Sequence, residues 1–186
     1  RGESNRRQIK QSSDGSKEMK ILVLNCGSSS VKYQFIDSTT GVPLAKGLVS
    51  RIGMSEAVVT HKPFDRPEVK VSAEILDHII AVEYVITMLM SPNHGVMRNK
   101  SEIDAVGHRV VHGGEEFTDS VLITADLMSR LRGLIELAPL HNPHNIRGIN
   151  ACQKALPHAP QVAVFDTAFH HSMPPHAFIY GIPYVL

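Results

Sequence analysis

The sequence predicts an α/β fold, a mixed sheet with flanking helices, on two observations. The first third of the chain reads as short strands broken by Gly/Pro turns, a meander. From about residue 75 the apolar period lengthens to that of a helix, and helical stretches then alternate with apolar runs. The 186 residues suit one domain with a small appendage, and 42% hydrophobic content supplies a core without any Trp.

In chain order, residues 20–25 are a short apolar run and read as a buried strand. Residues 31–37 alternate, with Val31, Tyr33 and Phe35 on one face and Lys32 and Gln34 on the other. Gly41, Val42 and Pro43 make a turn, and 44–52, 57–62 and 68–73 read as three further strands. Ile75, Ile79, Val82, Ile86 and Leu89 then recur at helical spacing, with Ser72 as the expected N-cap and Pro92 as the stop. Residues 103–111 read as a strand. Thr124 caps a second helix, with Leu127, Leu131, Leu134 and Ala138 on its apolar face and Pro139 at its end. Asn142-Pro143 starts a third helix that runs to Leu156, because Pro suits the first helical position. "QVAVFD" (161–166) reads as a buried strand ending on a carboxylate.

The first 18 residues hold one large aliphatic residue, Ile9, and lack the apolar core of a secretory signal. They are expected to be a disordered leader or an expression scar, with Met19 as the natural start. The apolar "FIYGIPYVL" has no polar tail and looks like a chain cut in mid-pattern. A net charge of +1 without a basic stripe gives no reason to expect nucleic acid or a membrane as partner. Two cysteines, Cys26 and Cys152, make no disulfide framework, which points to a reducing cytoplasm.

Four stretches carry chemistry. In "NCGSSSVKYQFID", successive small residues let backbone N–H groups face one concavity, Ser28 and Ser30 add hydroxyl donors, and Lys32 follows in the next strand. This suits a phosphate held by a hairpin; a Ser-rich turn without a ligand is the alternative. No P-loop signature is present. In "GHRVVHGGEEF", Arg109 stands mid-strand among Val106, Val110 and Val111, so it is expected to be buried and paired. Its fork suits a carboxylate or phosphate, or equally a structural salt bridge. His108 and His112 lie four apart on a strand without the Glu of a zinc helix, so zinc is not expected. "APLHNPHN" places His141 just before a helix start, either as a structural histidine or a functional one. "VAVFDTAFHH" ends a strand at Asp166, where ligands of open α/β sheets bind; Asp166 is a candidate for Mg²⁺ or acid–base work, or a simple strand cap.

Taken together, these four stretches, in this order and spacing, resemble the N-terminal half of the acetate kinase family. The likeness covers residues 19–186. It implies one lobe of the sugar kinase, actin and heat-shock ATPase fold (ribonuclease H-like), with a five-stranded mixed sheet. The implied activity is reversible transfer of the ATP γ-phosphoryl group to acetate, giving acetyl phosphate and ADP, with Mg²⁺ or Mn²⁺. The implied roles are Asn25 for Mg²⁺ and phosphate, Ser28, Ser30 and Lys32 for the ATP phosphates, Arg109 for the substrate carboxylate, Val111 and Leu140 for the methyl pocket, His141 beside the transferring phosphoryl, and Asp166 as a catalytic group. Acetate is already ionised at pH 7, so Asp166 is expected to orient Mg²⁺-bound water or a neighbouring side chain and not to act as a base. Family members are about twice as long. The chain is therefore expected to be an inactive N-terminal lobe, without the adenosine-binding lobe that also supplies most of a homodimer contact. Propionate or butyrate kinase, and a non-catalytic actin-like ATPase lobe, are the alternatives.

Overall fold

The computed structural model describes residues 18–183. The expected leader, apart from Glu18, and the last three residues lie outside them.

One sheet organises the chain. Strands β1 (Lys20–Cys26), β2 (Ser30–Asp37), β3 (Pro43–Ser50), β4 (Ala57–Pro63) and β5 (Val69–Ala73) form the antiparallel meander. β6 (Ala105–Val110) and β8 (Gln161–Phe165) run parallel to β1, and β7 (Val121–Leu122) pairs antiparallel with β8. The order is β5-β4-β3-β2-β1-β6-β8-β7, eight strands where five were expected. The five central ones, β3-β2-β1-β6-β8, are extended by the β4–β5 hairpin at one edge and by two-residue β7 at the other. β4 earns its place by strict alternation, burying Ala57, Val59, His61 and Pro63.

Helices α1 (His78–Leu89) and α3 (Asn142–Ala155) contribute to one core with the inward residues of β1 to β4, among them Leu22, Leu24, Phe35 and Val59. Each fully buried Leu, Ile or Phe contributes about 1.5–3 kcal/mol. α2 (Ala125–Gly133) joins α3, β6 and β8 around Phe117 and Phe165, whose rings stack at 4.7 Å. A four-residue α4 (Pro175–Phe178) follows β8. No helix among the described residues is long and apolar enough to cross a membrane.

Three local expectations change. Ser72 lies in β5 opposite Val58, and Asp77 caps α1 instead, its Oδ1 accepting from the N–H groups of Ile79 and Ile80 at 2.8 and 2.9 Å. The helix therefore begins later, and its inner face is turned: Ile75 is buried ahead of the helix, whereas Ile79 is 38% exposed. α2 has the expected Thr124 cap but stops at Gly133, a poor helix former, and a 3₁₀ turn (Ile135–Leu137) replaces its expected last turn. Arg109 is half-exposed, not buried. The pleat turns Val106, His108 and Val110 inward and leaves Arg109 on the outer face.

Candidate active cleft

β1 and β2 are in register up to Cys26 opposite Val31 and Asn25 opposite Lys32. The small residues thus divide: Asn25, Cys26 and Ser30 belong to strands, and only Gly27, Ser28 and Ser29 form the loop. Gly27 N–H donates to Ser30 O at 2.8 Å and closes it. The loop is tied from outside as well. Ile52 N–H donates to Ser29 O at 3.0 Å, and His78 Nε2 lies 2.6 Å from Gly27 O.

β6 and β8 bring the two charged candidates together. Arg109 is opposite Val164, so Asp166, two residues on, emerges on the same outer face. Arg109 Nε donates to Asp166 Oδ1 and Oδ2 at 2.9 and 3.1 Å, and Nη2 donates to Oδ2 at 2.7 Å. This hydrogen bonding holds the guanidinium even more firmly in its charged form than usual. Nη1 takes no partner among the described residues.

Two buried asparagines on the first turn of α3 hold this end of the sheet. Asn145 Nδ2 donates to Cys26 O at 2.8 Å while its Oδ1 accepts from Val111 N–H at 3.1 Å, so one side chain stitches β1 to the end of β6. Asn142 clamps the next residue: its Oδ1 accepts from His112 N–H at 3.2 Å, and its Nδ2 donates to the carbonyls of His112 and Leu134 at 3.0 and 3.2 Å. Close approach of α3 to β1 requires Gly148, where a Cβ would sit 2.3 Å from Cys26 Sγ. Gly113 is required likewise, since a Cβ would come within 2.8 Å of the Phe165 ring. Thr167, beside Asp166, accepts from Gly113 N–H at 3.0 Å.

The result is a cleft of about 350 Å³ lined by Asn25, Ser30, Lys32, Arg109, Val111 and His141, with Asp166 joined through Arg109. A second hollow of about 540 Å³ shares Asn25, Lys32 and Arg109 and continues over the outer face of the meander. Two candidates stand apart. Ser28 faces a separate hollow with His78 and Arg147, and Leu140 is 76% exposed outside the cleft. His141 precedes α3 without capping it by its side chain. Burial raises the Cys26 thiol to about 12 and lowers His108 to about 4, leaving both neutral at pH 7. Among the described residues no group of three or more His, Cys, Asp or Glu is arranged to hold a metal ion.

Asn142 and Asn145 escape a reading that looks for charged groups. Their signal is nonetheless in the sequence: with Ile146 and Ile149 they occupy the i, i+3, i+4, i+7 stripe that should be apolar.

The model of the Acetokinase family matches residues 20–186. The acetate kinase of Desulfitobacterium hafniense (strain Y51) is 60% identical over 166 residues, covering 89% of this chain and 42% of that protein. Among solved structures, Porphyromonas gingivalis acetate kinase superposes with a TM-score of 0.86 at 44% identity, covering 90% of this chain and 42% of the other. A propionate kinase from Francisella tularensis subsp. tularensis SCHU S4 gives 0.78 at 43% identity, covering 89% and 41%. The chain thus spans about two-fifths of the length of the curated relatives it matches.

Proposed function

This chain belongs to the acetokinase family, and from that premise we propose that the whole protein transfers the γ-phosphoryl group of ATP to acetate, reversibly, giving acetyl phosphate and ADP. The chain supplies the N-terminal lobe, residues 19–186. The remainder supplies the adenosine site and the contact of a homodimer. Without it the 186 residues do not turn over. Two buried, unpaired thiols suit a reducing cytoplasm.

The observation that carries the reading is the Arg109–Asp166 fork opening on the same cleft as Ser30 and Lys32. The problem in this reaction is bringing two anions together. Unlike charges at about 4 Å attract, and like charges repel, by about 4 kcal/mol at a protein surface. Arg109 and Lys32 offset that repulsion from either side. Acetate needs no base, being ionised at neutral pH. Asp166 accordingly works through Arg109: its carboxylate fixes Nε and Nη2 and leaves Nη1 for the incoming carboxylate. Val111 lines the cleft beside it and suits a methyl group; Leu140, exposed here, packs on that methyl once the rest of the protein closes over it. His141 and Ser30 face the transferred group, and Ser28 contributes through the loop backbone.

The donor set fits Mg²⁺ sparingly bound. Asn25, which lines the cleft, would offer an amide oxygen, and Asp166, its oxygens engaged by Arg109, would orient a water bound to the ion; Mg²⁺ takes one or two protein oxygens plus waters and substrate phosphates. When bound, the ion neutralises charge on the ATP phosphates. Mn²⁺ satisfies the same oxygen ligands.

Hydroxylamine trapping of the acyl phosphate made by the full-length protein from ATP and acetate tests the reading. Hydroxamate formation is expected, and a protein that hydrolyses ATP without it is an actin-like ATPase. The propionate kinase likeness makes a second substrate worth running alongside, because one methylene changes discrimination by only about 1–3 kcal/mol. Acetate is expected to give the higher kcat/KM.

A further inference from the structure

His78 has no part in the transfer described above, yet it touches the loop that has to present its backbone to a phosphoryl group. It opens α1, just after the Asp77 cap, and is 5% exposed. His144 of α3 backs it, the two rings stacked at 5.8 Å and 26°. Its Nε2 lies 2.6 Å from Gly27 O, and a carbonyl accepts only, so Nε2 carries the proton.

Gly27 N–H is spent on Ser30 O, and Ser29 O is taken by Ile52 N–H. The N–H groups of Ser28 and Ser29 have no partner among the described residues. Every peptide of the described chain is trans, so the Gly27 carbonyl and the Ser28 N–H point in opposite directions. Holding the carbonyl against α1 therefore turns the Ser28 N–H away from α1. No other hydrogen bond among the described residues fixes that peptide, and Gly27, with no Cβ, resists its rotation least.

We infer that His78 is a positioning residue of the phosphate loop: by donating to Gly27 O it locks the Gly27–Ser28 peptide with the Ser28 N–H presented to the phosphoryl group. This deepens the kinase reading and rests on it. It also assigns Ser28 a backbone role, consistent with a side chain that faces away from the cleft.

The test uses full-length protein and acyl phosphate formation, with ATP and acetate varied separately. His78→Phe keeps a ring against His144 and removes the donor. His78→Gln places an N–H near the position of Nε2. For the Phe variant kcat/KM for ATP falls at least about tenfold, while KM for acetate stays within about twofold. The Gln variant recovers most of the loss. Equal behaviour of the two variants, or a loss shared equally by both substrates, overturns the inference. The wild type supplies a check that no substitution can unfold: the Ser28 amide ¹⁵N–¹H resonance shifts on adding ATP, and an unmoved resonance overturns the inference. An inactive wild type overturns the kinase reading and this inference together; an active one with like variants overturns the inference alone.

Discussion

Acid strips stability from this chain through His108, and the size of the effect follows from its surroundings. His108 is 2% exposed, and its Nε2–H donates to Gln161 Oε1 at 2.7 Å. Burial lowers its pKa from 6.5 to about 4, opposed only by that hydrogen bond. The unfolded chain takes up a proton near pH 6.5, whereas the folded one refuses it until about pH 4. The contribution is therefore whole above pH 6.5 and disappears as pH falls to 4. At 1.36 kcal/mol per pH unit the total is roughly 3 kcal/mol, of which about 2 kcal/mol goes between pH 7 and 4.5. Burial lowers His61 and His144 in the same sense, and hydrogen bonding lowers the Glu102 carboxyl, so several groups contribute to the slope. His108→Gln isolates one of them, because it removes the titration and keeps a donor for Gln161. Urea unfolding of wild type and variant at pH 7 and 4.5 is the assay. The wild type should lose about 2 kcal/mol more than the variant; losses equal within about 0.5 kcal/mol refute the reasoning. The consequence reaches the cleft, since this bond ties β6 to β8, the two strands whose outer faces carry Arg109 and Asp166.

Two further outcomes follow from the packing of α3 on β1. Gly148→Ala drives a methyl into Cys26 and destabilises by about 1–3 kcal/mol; adding Cys26→Ala relieves part of it, and strict additivity of the two in thermal unfolding contradicts the account. Cys26 and Cys152 are buried with thiols shifted upward, so a disulfide reagent at pH 8 reacts with neither until the chain unfolds, and fast modification of the folded protein contradicts the packing described.

The α/β class and most element positions are legible in the sequence because they depend on local periodicity. The alternation of β2 and the Asn-Pro start of α3 needed no tertiary information. Arg109 shows where reading fails. Its neighbours are apolar, which suggested burial, but pleat parity decides the face, and Val106, His108 and Val110 hold the inner one. The Ser72 cap failed for a tertiary reason: β5 needed that residue opposite Val58. β7, with two residues, is too short to leave a pattern. Within the candidate site, six of the side chains named from the sequence line one cleft, while Ser28 faces a neighbouring hollow and Leu140 is exposed. The clamps beneath, Asn142, Asn145 and His78, are polar residues in helical positions, and their roles depend on contacts across the sheet that no local window contains.

Steady-state kinetics of Arg109→Ala in the full-length protein, with acetate varied at saturating ATP, test the central claim most directly. The account predicts that kcat/KM for acetate drops by about a hundredfold or more while KM for ATP moves only a few-fold. An Arg109→Ala enzyme that uses acetate as well as wild type would show that the fork beside Asp166 is a structural salt bridge and that the substrate carboxylate is held elsewhere.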